Sequence, residues 1–277
     1  MLTFIVGETG SGKTSLATYL LQEKYLNEGN DIWERSCNLI RRANEKYGRH
    51  YSLPDKVPFY TNYNIKLHVG YNEYYEPYYQ NGYYFGVANE VMDTQFVALG
   101  GVVVFDEAQR ILNSRKSSSF ADFVSYAFEV HRQAQLEVFL IAQRGKLLDC
   151  NVRELGVHVI QIVRMENEKD AAGNVVRTTW HCREFENWTE AERYQQTGEG
   201  EYRETEYVNE GSIFECYDSY EHVSDFLPPQ GKDFSYLPHE KPKRLSEREK
   251  QFYNAGEPKN YRNNPKNDKN KKEKKTA

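Results

Sequence analysis

A glycine-rich run near the start of the chain has the residue types and spacing of a phosphate-binding loop. Residues 7–14 read GETGSGKT, which matches the pattern G-x-x-x-x-G-K-[ST]. Glycines allow backbone angles that a Cβ would obstruct, so consecutive N–H groups can point inward at an anion. Lys13 would reach the β- and γ-phosphates, and the Thr14 hydroxyl would ligate magnesium. The predicted nucleotide-binding residues are Gly7, Glu8, Thr9, Gly10, Ser11, Gly12, Lys13, Thr14 and Ser15.

Two adjacent acids follow a second apolar run. Residues 100–110, GGVVVFDEAQR, read as a buried strand that ends in Asp106 and Glu107. A carboxylate at the tip of a strand beside a phosphate loop can hold magnesium, so Asp106 is predicted to ligate the ion together with Thr14. Glu107 is predicted to act as the general base that polarises the attacking water. The alternative is that both acids only cap a helix that begins near Ala108.

Two further candidates flank a third apolar run, VFLIAQ, which ends in Gln143. If this strand lies between the other two, as in many P-loop ATPases, Gln143 is near the γ-phosphate and can sense it or orient water. The alternative is an ordinary polar residue at the end of a strand. Arg132 is a candidate arginine finger that would act across a subunit interface; a surface salt bridge is its alternative role.

Short apolar runs and helical patterns alternate along the body of the chain, which predicts an α/β fold, and the phosphate-binding loop makes it a fold of the P-loop NTPase type. The expected sheet is mostly parallel and flanked by helices. The turn signal Ala172-Gly173-Asn174 predicts a small β-hairpin extension over about residues 165–212. The predicted strands cover residues 3–6, 57–63, 102–105, 138–142 and 157–163, and the predicted helices cover residues 15–25 and 120–135.

The end of the chain differs in composition from the rest. Residues 240–277 carry 13 Lys and Arg against 6 Asp and Glu, so this tail has a net charge of +7 and the remainder −12 in a chain of −5. Because the tail has few apolar residues, residues 238–277 are predicted to be disordered and residues 1–237 to form the folded domain. No apolar run is long enough to cross a bilayer. Four scattered cysteines fit a reducing, cytoplasmic location.

The order of these motifs resembles the zonular occludens toxin-like (Zot) domain, over roughly residues 1–220. The motifs are GETGSGKT, FYTNYN, VVVFDEAQRILNSR, EVHRQAQLEVFLIAQRGKLLDCNVREL and IFECYDSY. That family includes the filamentous-phage assembly protein of the inner membrane and is related to FtsK–HerA-type motor ATPases. Carried over by this resemblance, Lys13 and Thr14 match the first motif, Asp106 and Glu107 the second, and Gln143 the polar sensor.

The resemblance implies an ATP- and magnesium-dependent motor that couples hydrolysis to DNA translocation during virion assembly and export. It also implies a homo-oligomeric ring, with DNA and with phage coat, assembly or membrane-associated proteins as partners. One departure is that the filamentous-phage proteins carry a transmembrane helix after the ATPase domain, whereas this chain is hydrophilic and Lys-rich there. Any membrane association is therefore expected to go through a partner. The alternatives are a genome-packaging ATPase of an icosahedral virus, a nucleotide-dependent switch without motor activity, and a small-molecule kinase.

Overall fold

The computed structural model describes residues 1–79, 99–110, 112, 131–155 and 158–217. The predicted boundary at residue 237, the tail and residues 120–130 of the second predicted helix lie outside these ranges. The strands are β1 (Leu2–Val6), β2 (Phe59–Thr61), β3 (Leu67–Gly70), β4 (Glu73–Tyr75), β5 (Tyr78–Tyr79), β6 (Val102–Phe105), β7 (Glu137–Ala142), β8 (His158–Lys169), β9 (Val175–Phe185) and β10 (Arg203–Glu210). The α-helices are α1 (Lys13–Tyr47), α2 (Cys150–Glu154) and α3 (Trp188–Thr197).

Eight strands form one mixed sheet in the order β10-β9-β8-β1-β7-β6-β2-β5. The six strands from β8 to β5 run parallel, and β9 and β10 extend the sheet through antiparallel pairs. A separate antiparallel pair is formed by β3 and β4. The predicted α/β class and mostly parallel sheet are confirmed. Strand β7 lies between β1 and β6, as the interpretation of Gln143 requires.

The sheet is buried on both faces, which is why its central strands read as continuous apolar runs. Successive side chains of a strand point to opposite faces. Phe4 of β1 therefore belongs to one core, together with Leu140 and Trp188. Its neighbour Ile5 belongs to the other core, which packs against α1. Each face thus has its own apolar cluster, and the strand ends between the two clusters carry the polar residues of interest.

Helix α1 is much longer than the predicted residues 15–25, since it continues to Tyr47. Its buried face continues through Gly29, Ile32, Ser36 and Ile40. Small and polar residues share this face, so the apolar period is weak in the sequence although the spacing of three to four residues is helical. The helix ends where Gly48 adopts φ 60° and its N–H bonds to the carbonyl of Asn44, as is common at helix C-termini.

Acidic Glu137, at the start of β7, attaches α1 to the sheet. Its carboxylate lies 2.9 Å from Lys24 Nζ and 3.0 Å from Arg35 Nη2, both on α1. Arg35 Nη2 also donates to the carbonyl of Gly100, 2.9 Å away, at the start of β6. Arg35 is thereby placed at the edge of the sheet where the parallel strands begin.

The predicted β-hairpin is confirmed, but it is part of the main sheet. Only residues 158–161 of β8 pair with β1, and β8 then continues to Lys169 alongside β9. We call residues 163–181, with the facing residues 206–210 of β10, the arm. Seven residues of β8 beyond Ile162 correspond to about 24 Å of extended strand. At the tip, the Asp170 carboxylate accepts the N–H groups of Ala172 and Asn174, each at 2.9 Å.

Two smaller predictions need correction. Residues 131–135, expected in a helix, form turns that lead directly into β7. The second strand is confined to Phe59–Thr61 rather than residues 57–63. Strand β2 ends at Thr61, because the side chain of the next residue, Asn62, forms hydrogen bonds with the backbone of Asp106 at the end of β6.

Candidate functional site

The phosphate-binding loop connects β1 to α1 at the edge of the sheet where the parallel strands end. Gly10 and Gly12 have φ of 78° and 83°, a region that favours glycine. Gly12 precedes α1, whose N-terminus has no side-chain cap and no acidic residue in its first turn. The first N–H groups of a helix have no intrahelical acceptor, and the helix dipole is positive there. The loop is therefore suited to an anion.

Lys13 lies inside the loop rather than in solvent. Its ammonium donates to the carbonyl of Gly7 at 3.1 Å and to that of Glu8 at 2.8 Å, and the side chain is buried. Burial lowers the pKa of Lys13, and the nearby carboxylates of Glu107 and Asp106 oppose that shift. A bound phosphate would provide the oxygen ligands that the two loop carbonyls provide here.

Thr14 and Asp106 are in direct contact. The Thr14 hydroxyl donates to Asp106 Oδ2 at 2.8 Å, although the two residues are 92 positions apart in the sequence. Burial raises the pKa of Asp106, and hydrogen bonds from Thr14 and from the Glu107 N–H oppose that shift. A hydroxyl and a partly buried carboxylate side by side are hard oxygen donors that fit magnesium. The predicted metal pair is thus brought together, and its binding of magnesium stays a prediction.

Glu107, the predicted general base, has an unusual backbone. Its φ is +50°, a left-handed conformation that costs about 1–3 kcal/mol for a residue with a Cβ and that clusters at functional sites. Its carboxylate accepts a hydrogen bond from Gln109 Nε2. The predicted helix after the two acids is a single 3-10 turn, Ala108–Arg110. The chain thus turns sharply at Glu107 and keeps its carboxylate beside Asp106.

Asn62 is a residue of the site to which the sequence analysis assigned no role. Its Oδ1 accepts the backbone N–H of Asp106 at 2.7 Å, and its Nδ2 donates to the Asp106 carbonyl at 2.9 Å. Since the last backbone pair of β2 and β6 is Thr61 with Val104, the amide of Asn62 continues the pairing past the end of β2. The available signal was an amide side chain, both donor and acceptor, directly after a buried strand.

The remaining predicted residues are placed differently. Gln143 directly follows β7, between the ends of β1 and β6, so its backbone is where the prediction needs it. Ser15 is buried and its hydroxyl donates to the carbonyl of Gly12 at 2.8 Å, which leaves its N–H as the group that can face a phosphate. Arg132 is exposed and precedes β7 at the opposite edge of the sheet. Arg132 therefore does not join the loop of its own chain, and its role across an interface stays a prediction.

The arm packs against the back of the phosphate-binding loop. A Cβ added at Gly12 would overlap Met165 Sδ of β8 and lie 2.9 Å from Trp180 Nε1 of β9. Trp180 is fully buried and stacks on Tyr19 of α1, with ring centroids 5.5 Å apart. Gly12 is thus required twice, for its positive φ and for the space that the arm occupies.

Gly145 fixes the loop that follows Gln143. A Cβ at Gly145 would overlap the Trp188 ring, and that ring lies edge-on to Phe4 of β1 with centroids 5.7 Å apart. Since Trp188 is buried, it has little room to move. We expect Gly145→Ala to lower the free energy of unfolding by about 1–3 kcal/mol through overpacking.

The matched control is Gly29→Ala in α1, where the new Cβ would make only ordinary contacts, 3.6 Å from Tyr25 and 3.7 Å from Val57. It should be neutral or stabilising by up to about 1 kcal/mol, since alanine favours a helix. Urea unfolding of both variants checks the pair. Equal midpoints for Gly145→Ala and the wild type would contradict the packing argument.

The solved structures that are similar to this chain include the following two proteins. The N-terminal domain of zonular occludens toxin from Neisseria meningitidis is 16% identical with a TM-score of 0.42, covering 78% of this chain and 98% of that one. The genome packaging NTPase B204 from Sulfolobus turreted icosahedral virus 2, in complex with ATP-gammaS, is 12% identical with a TM-score of 0.36, covering 76% and 97%. No family model matches the chain, and no curated protein matches it.

Within the part of the chain that the structure describes, no helix is both long enough and apolar enough to span a membrane.

The site itself consists of the loop around Lys13, the Thr14–Asp106 contact, Glu107 and the Asn62 amide. These residues follow β1, β6 and β2 at the ends of the parallel strands, and β7, which Gln143 follows, lies between β1 and β6.

Proposed function

We propose that this chain is a P-loop ATPase that couples ATP hydrolysis to DNA translocation during virion assembly and export. The observation that carries the ATPase part is the 2.8 Å contact between Thr14 and Asp106, with Lys13 inside the loop and Glu107 next in sequence. This contact joins the two halves of a phosphate and metal site from distant parts of the sequence. The combination is the one that phosphoryl transfer to water requires.

In this proposal each residue has a separate task. Lys13 and the first N–H groups of α1 bind the β- and γ-phosphates and orient them. Thr14 and Asp106 would hold magnesium, which when bound neutralises charge on the phosphate oxygens. Glu107 accepts the proton of the attacking water, and Gln143 orients that water from the end of β7. A general base held in a strained backbone favours turnover over a nucleotide switch, because binding alone does not need one.

The DNA motor part rests on the motif order in the sequence, which resembles Zot-like and FtsK–HerA-type ATPases. In a ring of such subunits, DNA occupies the central channel and Arg132 of one copy would face the nucleotide of the next. Packaging of an icosahedral genome uses the same chemistry, and the neighbouring coat-protein gene distinguishes it from export. A small helical coat protein indicates filamentous export, and a double jelly-roll capsid protein indicates packaging.

The proposal is tested by phosphate release from Mg-ATP at high protein concentration and low salt, with and without DNA. We expect release in the absence of any acceptor, and a severalfold increase on adding single- or double-stranded DNA. Binding without phosphate release would indicate a switch, and a phosphorylated acceptor would indicate a kinase. Hydrolysis that no DNA stimulates would leave an ATPase and contradict the motor.

A further inference from the structure

The far end of α1 extends beyond the sheet. The helix has 35 residues, about 52 Å at 1.5 Å per residue, whereas the five residues of β1 span about 17 Å. Arg35 already lies at the edge where β6 and β7 begin. The last buried residue of the helix is Ile40. The turns after Ile40 therefore project past the sheet, away from the phosphate-binding loop.

This projection is basic, and we call residues 41–51 the basic end. Its sequence, RRANEKYGRHY, contains four cationic side chains and a single acid, Glu45. All four cations are exposed, in a chain whose net charge is −5. The four cations are Arg41, Arg42, Lys46 and Arg49.

The basic end has a defined conformation. Asn44 Nδ2 donates to the carbonyl of Tyr51, and Asn44 Oδ1 accepts the Tyr51 N–H, both at 2.9 Å. The indole N–H of Trp33 donates to the carbonyl of Pro54 at 3.0 Å. After the turn at Gly48 the chain is thus held against the helix by side chains of α1. The four cations are presented on one ordered element.

Among the residues that the structure describes, neither helix capping nor ion pairing accounts for these cations. A positive side chain in the last turn stabilises a helix, but only Lys46 is in that turn, and Arg41 and Arg42 precede it. None of the ion pairs formed among the described residues includes any of the four. Arg41 Nη1 donates to Asn38, and Lys46 Nζ lies 5.1 Å from the centroid of the Tyr47 ring.

We propose that the basic end binds the sugar-phosphate backbone of DNA. The proposal rests on the proposed function and identifies the surface that would contact the nucleic acid. Cationic side chains bind phosphates without regard to sequence, and exposed tyrosines beside them can stack on bases. Tyr47 and Tyr51 are 63% and 43% exposed. A lipid-binding helix would carry Leu, Phe or Trp on its other face, whereas the remaining apolar residue between 41 and 51 is Ala43.

The test uses the full chain with Arg42→Gln and Lys46→Gln combined, which lie one turn apart on α1. Arg42 is 29 residues after Lys13, about 44 Å along the helix, so basal ATP hydrolysis without DNA should equal that of the wild type. The matched control combines Lys66→Gln and Lys146→Gln, which are 62% and 59% exposed and change the net charge equally. The logarithm of the binding constant for DNA falls linearly with the logarithm of the salt concentration. Each phosphate contact that is removed should make this slope less steep by about 0.9 on duplex DNA.

Fluorescence anisotropy with a labelled duplex and a labelled single strand supplies the readout. We expect the Arg42/Lys46 variant to bind duplex DNA about tenfold more weakly, and the slope of its log binding constant against log salt concentration to be less steep by about 2. The control variant should match the wild type in both quantities. Equal losses in both variants, or in neither, would overturn the assignment while leaving the ATPase proposal intact. Binding of the wild type to phosphatidylserine vesicles but to neither DNA would overturn it in favour of a membrane surface.

Discussion

Glu107→Gln is expected to lower kcat for ATP hydrolysis by about 10³-fold, within the range seen on removal of a general base, while ATP affinity stays within about twofold of the wild type. Glutamine keeps the size of the side chain and can still meet Gln109, so the strained turn at φ +50° should persist. It cannot take a proton from water. Phosphate release and titration of a fluorescent ATP analogue measure the two quantities separately.

The control for this prediction is Glu34→Gln, an exposed carboxylate on α1, which removes the same charge away from the site. It should leave both kcat and ATP affinity unchanged. If the Glu107→Gln protein hydrolysed ATP at the wild-type rate, Glu107 would not be the general base. Since Lys13 and the first turn of α1 are untouched, loss of ATP binding would instead mean that Glu107 supports the fold of the loop.

Asn62→Ala is expected to lower kcat by about 10²-fold, because small misplacement of reacting groups costs about that much. The substitution removes the two hydrogen bonds, at 2.7 and 2.9 Å, that hold the backbone of Asp106. Asp106 would then no longer be fixed against Thr14, and the turn at Glu107 would relax. We expect ATP affinity measured without magnesium to stay near the wild-type value, while the magnesium concentration needed for half-maximal activity rises.

A merely structural role for Asn62 would give a different pattern. Asn64→Ala, two positions along and exposed, is the control and should keep wild-type kinetics. If Asn62 acts by placing Asp106 and Glu107, then at saturating magnesium Asn62→Ala should slow the Glu107→Gln enzyme by clearly less than it slows the wild type. Additive losses in the double variant, or an unchanged magnesium requirement in Asn62→Ala, would contradict the positioning role.

The sequence was informative where function depends on consecutive residues. Gly10, Gly12, Lys13 and Thr14 occupy one loop, and their conformations follow from local rules on glycine and on helix N-termini. The strand before Asp106 was also predictable, since the apolar run Val102 to Phe105 is short, β-branched and aromatic, and bounded by glycines and acids. The prediction of the fold class rests on such runs, whereas the place of β7 was assumed from many P-loop ATPases and is confirmed by the order of the sheet.

The sequence was silent where a residue acts on a distant one. Asn62 and Asp106 are separated by 44 positions, and nothing in FYTNYN indicates which backbone its amide meets. Helix α1 was underestimated because its buried face includes Gly29 and Ser36, which do not register as apolar. The sequence does not show that the arm is part of the main sheet, because β8 pairs with β9 along nearly its whole length and with β1 only over residues 158–161, and no residue type marks where the β1 pairing ends.

The contact between Gly12 and the arm has a mechanical consequence. Met165 and Trp180 lie against the rear of the phosphate-binding turn, and both belong to strands that continue about 17 Å toward the tip at Asp170. The two strands and the phosphate-binding turn therefore cannot shift independently, because movement of either would open a gap or create an overlap at Gly12.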